Sequence, residues 1–323
     1  MNILATCCLG DHLKSNFDDI RSAFPDAKIV GVDVREMYTN YVGVDKFYKV
    51  PRCTDPIYAH EIAKICKEEK IELIISFSSL DICPFKEHED EIDAKIALDL
   101  SDNAILANDK SLFYEFAQKN DIKIPKSSPT YNTIDKVKAF IEEYGLSKIV
   151  VKDPLSTGAK GMSIIDRTAV DSFSFTGNVI AQEYLSGAEY SVDCFCKHGE
   201  VLFIAVKANY DMDLGVSIYS EIIESTEIER MCIDACKKLQ IDGLIGFDIK
   251  ENEEGEPFII ECNPRPTATI SLVSKAGVNL MKHLIEYFVY GSTEFNEQLE
   301  YGWKIARHRK DFYTKEGTWN MKE

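Results

Sequence analysis

Late in the chain an apolar run leads into three polar side chains spaced two apart: in FIIECNPRPTAT, Phe258, Ile259 and Ile260 precede Glu261, Asn263 and Arg265. Successive side chains of an extended strand point to opposite faces. The spacing therefore predicts a carboxylate, a carboxamide and a guanidinium on one face, with Cys262 on the other. Pro264 and Pro266 keep the segment from continuing as a helix. A second carboxylate, Asp248, lies upstream in GLIGFDIK, and NEEGE at 252–256, with Gly255 at its centre, predicts a hairpin turn between the two runs. Such a hairpin would set Asp248 alongside Glu261 and Asn263. Oxygen donors of this kind suit Mg²⁺, or Mn²⁺, shared with the oxygens of a phosphate chain. Arg265 could then neutralise a transferred phosphoryl group. The plainer alternative is a strand end whose polar residues meet water.

Other residues could serve the same phosphate chain. Lys152 comes late in the apolar strand KIVVKDP, just before a loop of small residues, where a lysine can place a point charge on a phosphate. The loop, STGAKGMSII at 156–165, carries Ser156, Thr157, Gly158 and Gly161, and its glycines free backbone N–H groups for close approach. It is not a P-loop, because no helix follows a G-K-[ST] signature; alone, it is an ordinary Gly-rich hairpin. Lys110 stands at the start of the predicted helix SLFYEFAQKN, either reaching an anion or solvated. In VIAQEYLSGAEYSVDCF at 179–195, Glu183, Tyr184, Leu185, Gly187 and Glu189 lie close together, and Lys207 follows in the next strand, where it could face the phosphates. The loop SSLDICP at 78–84 leaves the carboxyl end of a strand, so Ser78, Ser79 and Asp81 are either substrate contacts or exposed loop polarity.

Taken together, Asp248 followed by IIECNPRP, the Lys152-to-Gly161 stretch and the Glu183–Glu189 set resemble the ATP-grasp superfamily, and SLVSKAGVNL resembles the large subunit of carbamoyl-phosphate synthetase and its single-copy relatives. The resemblance implies ATP and Mg²⁺ as cofactors. It implies Asp248, Glu261 and Asn263 as metal ligands, with Lys110, Lys152, Ser156, Thr157, Gly158 and Gly161 on the phosphates. It gives Glu183, Tyr184 and Leu185 to the adenine edge and Glu189 to the ribose hydroxyls, with Arg265 and Lys152 as catalytic residues. Asp248 departs from the pattern, being one methylene shorter than the Glu or Gln often found there. The implied activity is a carboxylate–amine (or carboxylate–thiol) ligase that forms an acyl phosphate and releases ADP and phosphate. Phosphorylation of bicarbonate, or non-catalytic ATP binding, are the alternatives.

The elements that must position these residues read as an α/β chain. Strand, helix and strand over MNILA, residues 13–24 and AKIVGVDV open a parallel sheet, and Asp33 ends its second strand. A nicotinamide site there would need G-x-G-x-x-G after the first strand, and only Gly10 is present. Further helices are expected at 57–69, 87–100, 133–144, 226–239 and 278–290, with a strand hairpin at 190–196 and 200–208. The expected organisation is an N-terminal open parallel-sheet (pre-ATP-grasp, Rossmann-like) domain at 1–107, an ATP-grasp lid subdomain at 108–178, and a large subdomain at 179–323 ending in a basic tail with Lys304, Arg307, Arg309 and Lys310.

At 323 residues the chain can build two or three cored domains, and a net charge of −17 argues against nucleic acid or an anionic membrane as partner. Ten cysteines without C-x-x-C spacing point to reduced thiols. With no apolar run long enough to span a bilayer and no signal peptide, a cytoplasmic protein acting on a small carboxylate and an amine is expected, with a homodimer as the conceivable assembly.

Overall fold

The computed structural model describes residues 1–10, 12–35, 43–155, 161–213 and 215–308. Its first sheet is parallel, in the order β3-β2-β1-β4-β5. The strands are β1 (Asn2–Ala5), β2 (Lys28–Asp33), β3 (Lys46–Lys49), β4 (Leu73–Ile75) and β5 (Lys95–Ile96), connected in part by helices α1 (Leu13–Ala23), α2 (Tyr58–Glu69) and α3 (Ile82–Glu87). Ile3, Leu4, Val30 and Ile74 are wholly buried, as strands covered on both faces by helices require. The helix expected at 87–100 is not formed. The helix occupies Ile82–Glu87 instead, and the chain then passes through a 3₁₀ turn into β5. Ala97 N–H donates to the Ile74 carbonyl, so pairing with the sheet overrides the helical pattern of KIALDL.

Helices α4 (Asp102–Asn108) and α5 (Lys110–Lys119) lead away from this sheet. The Asp109 carboxylate caps α5, accepting from the N–H groups of Ser111 and Leu112. Next come α6 (Ile134–Tyr144) and a small antiparallel sheet, β7-β6-β8, built from β6 (Lys148–Lys152), β7 (Ser163–Asp166) and β8 (Ile180–Glu183). Val137, Phe140 and Ile141 of α6 pack on Ile149, Val151 and Ala181.

The third sheet is antiparallel, in the order β13-β12-β9-β10-β11-β14. Its strands are β9 (Glu189–Lys197), β10 (Glu200–Asp213), β11 (Val216–Ile223), β12 (Gly243–Glu251), β13 (Pro257–Asn263) and β14 (Lys304–Ala306), with α7 (Thr226–Leu239), α8 (Ile270–Lys275) and α9 (Leu280–Tyr290) packed on it. Side chains alternate across it. On β9, Cys194 and Cys196 face α5 and α7, whereas Phe195 faces the core that α8 and α9 share with α1 and the first sheet. Strand β11, which the sequence pattern did not single out, mixes Ser and Glu with Ile and pairs with β10 through a bulged register.

Candidate active site

The β12–β13 hairpin forms as its sequence predicts. Gly255 takes φ +81°, and the Asn252 side-chain oxygen accepts from the N–H groups of Glu254 (3.1 Å) and Glu256 (2.8 Å), tying off the turn. The register places Asp248 directly opposite Glu261 and Gly246 opposite Asn263. Between Glu261 and Ile259 the pairing skips Ile260, a bulge that re-aims the end of β13. The freed Ile260 carbonyl accepts a 2.6 Å bond from the Tyr114 hydroxyl of α5.

Cations converge on this pair of carboxylates. Lys110, buried at the start of α5, lies 3.3 Å from Glu261. Lys152, at the end of β6, is buried and donates to Gln182 Oε1 (2.7 Å) and the Tyr114 hydroxyl (3.3 Å). Burial pushes the Lys152 pKa down to about 8, although Glu261 and Asp248 pull the other way. Asp248 is shifted upward, first by burial and then by the facing Glu261, against the pull of Arg265 and Lys207. Asn263 Nδ2 donates to Asp248 (3.1 Å), and its oxygen accepts from Arg265 (3.2 Å). Arg265 also donates to the Pro266 carbonyl at 3.0 Å.

The remaining sequence-predicted residues gather around this centre to different degrees. Residues 184–188 bridge the second and third sheets; Leu185 is buried there and Tyr184 lies near the ammonium groups of Lys148 and Lys250. Gly187 is required at this crossing, because a Cβ would meet the Asn252 carbonyl and the Glu251 Cβ at 2.7 Å. Glu183 accepts from the Lys126 N–H, and Glu189 is paired with Lys250. Gly161, with φ +71°, sits just before β7, whereas Ser156, Thr157 and Gly158 lie outside the described residues. Two expectations are corrected. Lys207 is fully buried within the sheet, where it donates to Asp193 and Thr267. Ser79 and Asp81 are inward-facing; Asp81 is buried and accepts from Thr6, Ser76 and Tyr58, a brace of the first sheet and not an exposed loop contact.

The structure also adds residues that motif reading passed over. Tyr114 and Gln182 hold Lys152, and the Asp193–Lys207–Thr267 triad backs the loop that carries Arg265. A charge inside each of the apolar strands SVDCF and IAVKAN was the available signal for the triad, since such charges occur in cores only when paired. Strand β14 brings Arg307 to the same region, with its guanidinium on the carbonyls of Ser217 and Ala268. His12 is pushed down to about 4 by burial and by the nearby charges of Arg307 and Arg265, so a positive patch faces the start of α1. Lys304 pairs with Glu221, and Arg309 and Lys310 lie outside the described residues.

A parallel-sheet domain leads into two antiparallel sheets, with opposed carboxylates and buried lysines between them, and the later part of the chain matches an ATP-grasp family model. More narrowly, residues 176–310 match the family described as ATP-grasp in the biosynthetic pathway with Ter operon, and residues 9–97 match the PylC-like N-terminal domain. The carbamoyl phosphate synthase large chain of Mesorhizobium japonicum is 22% identical over 305 residues, a match covering 79% of this chain and 25% of that one. The chain thus spans about a quarter of the length of that relative. A probable alpha-L-glutamate ligase of Shewanella pealeana is 25% identical over 219 residues, covering 63% of this chain and 46% of that one. Among solved structures, the biotin carboxylase domain of Hydrogenobacter thermophilus 2-oxoglutarate carboxylase, in complex with MgADP, ADP and bicarbonate, is 14% identical with a TM-score of 0.73, covering 94% of this chain and 73% of that one.

Proposed function

We propose that the chain is an ATP-dependent ligase that phosphorylates a small carboxylate and joins it to an amine or thiol, releasing ADP and phosphate. The observation that carries this reading is the opposition of Asp248 and Glu261 across one hairpin, with Lys110 and Lys152 converging on them. Two facing carboxylates, one of them buried and raised in pKa by the other, are costly unless a cation shares them, so the donor set fits Mg²⁺ held by Asp248, Glu261 and Asn263. Bound there, the ion would supply charge neutralisation on the phosphate oxygens.

The protein's own residues do the rest. Lys110 and Lys152 draw the phosphate chain, and burial strengthens their pull by excluding water. Glu183, Tyr184 and Leu185 offer the adenine edge an apolar slot with strand backbone groups, and Glu189, once exchanged from Lys250, accepts from ribose hydroxyls. Ser156, Thr157, Gly158 and Gly161 are assigned to phosphate binding on their sequence pattern. Arg265 and Arg307 orient the anionic acceptor, whose oxygen attacks the γ-phosphorus while ADP leaves. Attack of the amine on the acyl phosphate carbonyl then expels phosphate. No protein nucleophile takes part, so positioning and electrostatics carry the rate. The division is placed at 1–107, 108–178 and 179–323, a cut that leaves β8 (Ile180–Glu183) in the last unit although it pairs with β6 in the small sheet, and the first unit is set to hold acceptor substrate.

The test is an ADP-release screen with amino acids, other small carboxylates and amines, run beside a bicarbonate arm. Release that depends on a carboxylate and an amine, and is lost by roughly a hundredfold or more in Glu261→Ala with folding intact, is expected. Bicarbonate-dependent release would instead favour the alternative of a carbamoyl-phosphate-synthetase-like or carboxylase-like enzyme that phosphorylates bicarbonate, an anion bound in the similar biotin carboxylase domain. Nucleotide binding without turnover under any condition would leave a non-catalytic ATP-binding protein.

A further inference from the structure

Away from the cleft, three side chains able to ligate a transition-metal ion meet beside the first sheet. His60 stands in the first turn of α2, His88 directly follows α3, and Glu91 belongs to the 3₁₀ turn Glu89–Glu91. One ligand atom from each lies within 4.8 Å of the others. His60 Nδ1 is 2.6 Å from one Glu91 oxygen, and His88 Nδ1 is 2.9 Å from the other. The two imidazole rings meet edge to face with centroids 4.6 Å apart.

We propose that His60, His88 and Glu91 form a second metal site, selective for a borderline divalent cation of the Zn²⁺ class and distinct from the oxygen-lined Mg²⁺ site. The donor set decides the class: two imidazoles and one carboxylate suit Zn²⁺, Co²⁺, Ni²⁺ or Cu²⁺, whereas Mg²⁺ prefers an all-oxygen shell. The geometry is close to what such an ion needs. Tetrahedral ligation at about 2.0–2.2 Å separates donors by about 3.3 Å, so the N···O distances of 2.6 Å at His60 and 2.9 Å at His88 need open by about 0.7 and about 0.4 Å as the ion replaces the shared protons. The side chains are 51%, 26% and 47% exposed for His60, His88 and Glu91, which leaves room to adjust and one coordination position open to water.

The backbone is already held in place. Tyr58, two residues before His60, stacks on Phe85, three residues before His88, with centroids 5.9 Å apart and planes 14° apart. His60 on α2 and His88 just past the end of α3 are therefore held by helices locked together beneath them, and little ordering is left to oppose binding. Glu87, Glu89 and Asp90 flank the site in the run KEHEDEID and add negative potential for a cation. An ion here would clamp α2 to the segment 82–91.

Tag-free full-length protein, stripped with chelator, is titrated with Co²⁺ in millimolar Mg²⁺, which occupies the oxygen-donor site. One Co²⁺ per chain is expected, with a visible absorption band of low-coordinate type that Zn²⁺ displaces, and Zn²⁺ should raise the unfolding temperature. His60→Ala, His88→Ala and Glu91→Gln should each weaken Co²⁺ binding by roughly tenfold or more and remove the Zn²⁺ stabilisation, with the far-UV spectrum unchanged. A band that survives both histidine substitutions, or no band at excess Co²⁺, overturns the site. Neither result touches the ligase reading, which ADP release tests separately.

Discussion

Lys152 shows how a single side chain is tuned by its surroundings. In the strand KIVVK it is simply the last residue; in the fold it is buried between Gln182, Tyr114 and the two facing carboxylates. Burial lowers its pKa to about 8, so the ammonium form that attracts phosphate is present below that pH and fades as pH rises through it. The value of kcat/KM for ATP should therefore fall above about pH 8, and Lys152→Arg, which keeps its charge, should move that fall to higher pH. A pH–rate profile on both proteins measures this; an identical fall in each would remove Lys152 from the phosphate site. The residue types of the site were legible because alternation and family spacing single them out. Their pairings were not: that Glu189 meets Lys250 and Lys207 meets Asp193 follows from strand register, to which a local pattern is blind.

Among the elements, the β12–β13 hairpin was readable from its turn, since Asn, Gly and acidic residues between two apolar runs leave few other solutions. The bulge at Ile260 was not, because no glycine or proline marks it and it exists through a partner in α5. Tyr114→Phe tests that link. Losing the hydroxyl leaves the half-buried Ile260 carbonyl and the buried Lys152 each short of a partner, so stability should drop by about 1–3 kcal/mol. Denaturant unfolding measures the drop, and ADP release should decline with it as Glu261 loses its aim. A variant as stable and as active as the parent would show that the bulge holds its shape without α5. The missing helix at 87–100 belongs to the same scale: its apolar residues were seen, but whether they pair with a sheet edge or coil depends on Ile74 lying beside them.

For the whole molecule, the first sheet and the third share one core. Phe17 and Ile20 of α1 pack with Val273, Leu280 and Ile285 of α8 and α9, and Asn279 donates to the Asp19 carbonyl at 2.8 Å. The parallel-sheet unit is thus a structural wall of the ATP-grasp part as well as a neighbour to its cleft. Removing residues 1–107 should expose that apolar face and yield aggregated protein, whereas Phe17→Ala in the full chain should cost about 3–5 kcal/mol and leave it monodisperse. Size-exclusion chromatography and thermal melts decide; a soluble, well-folded 108–323 fragment would show the two parts to be independent. Among the described residues no helix is long and apolar enough to cross a membrane.

By itself the sequence determined the α/β order, the hairpin with its carboxylates and the likeness to ATP-grasp proteins, because these rest on local alternation, turn chemistry and short motifs. Tertiary structure alone decided which charges neutralise one another, which polar loop residues turn inward, and that His60, His88 and Glu91 meet. Those outcomes depend on contacts between residues tens of positions apart, whose energies arise only once burial has removed the water between them.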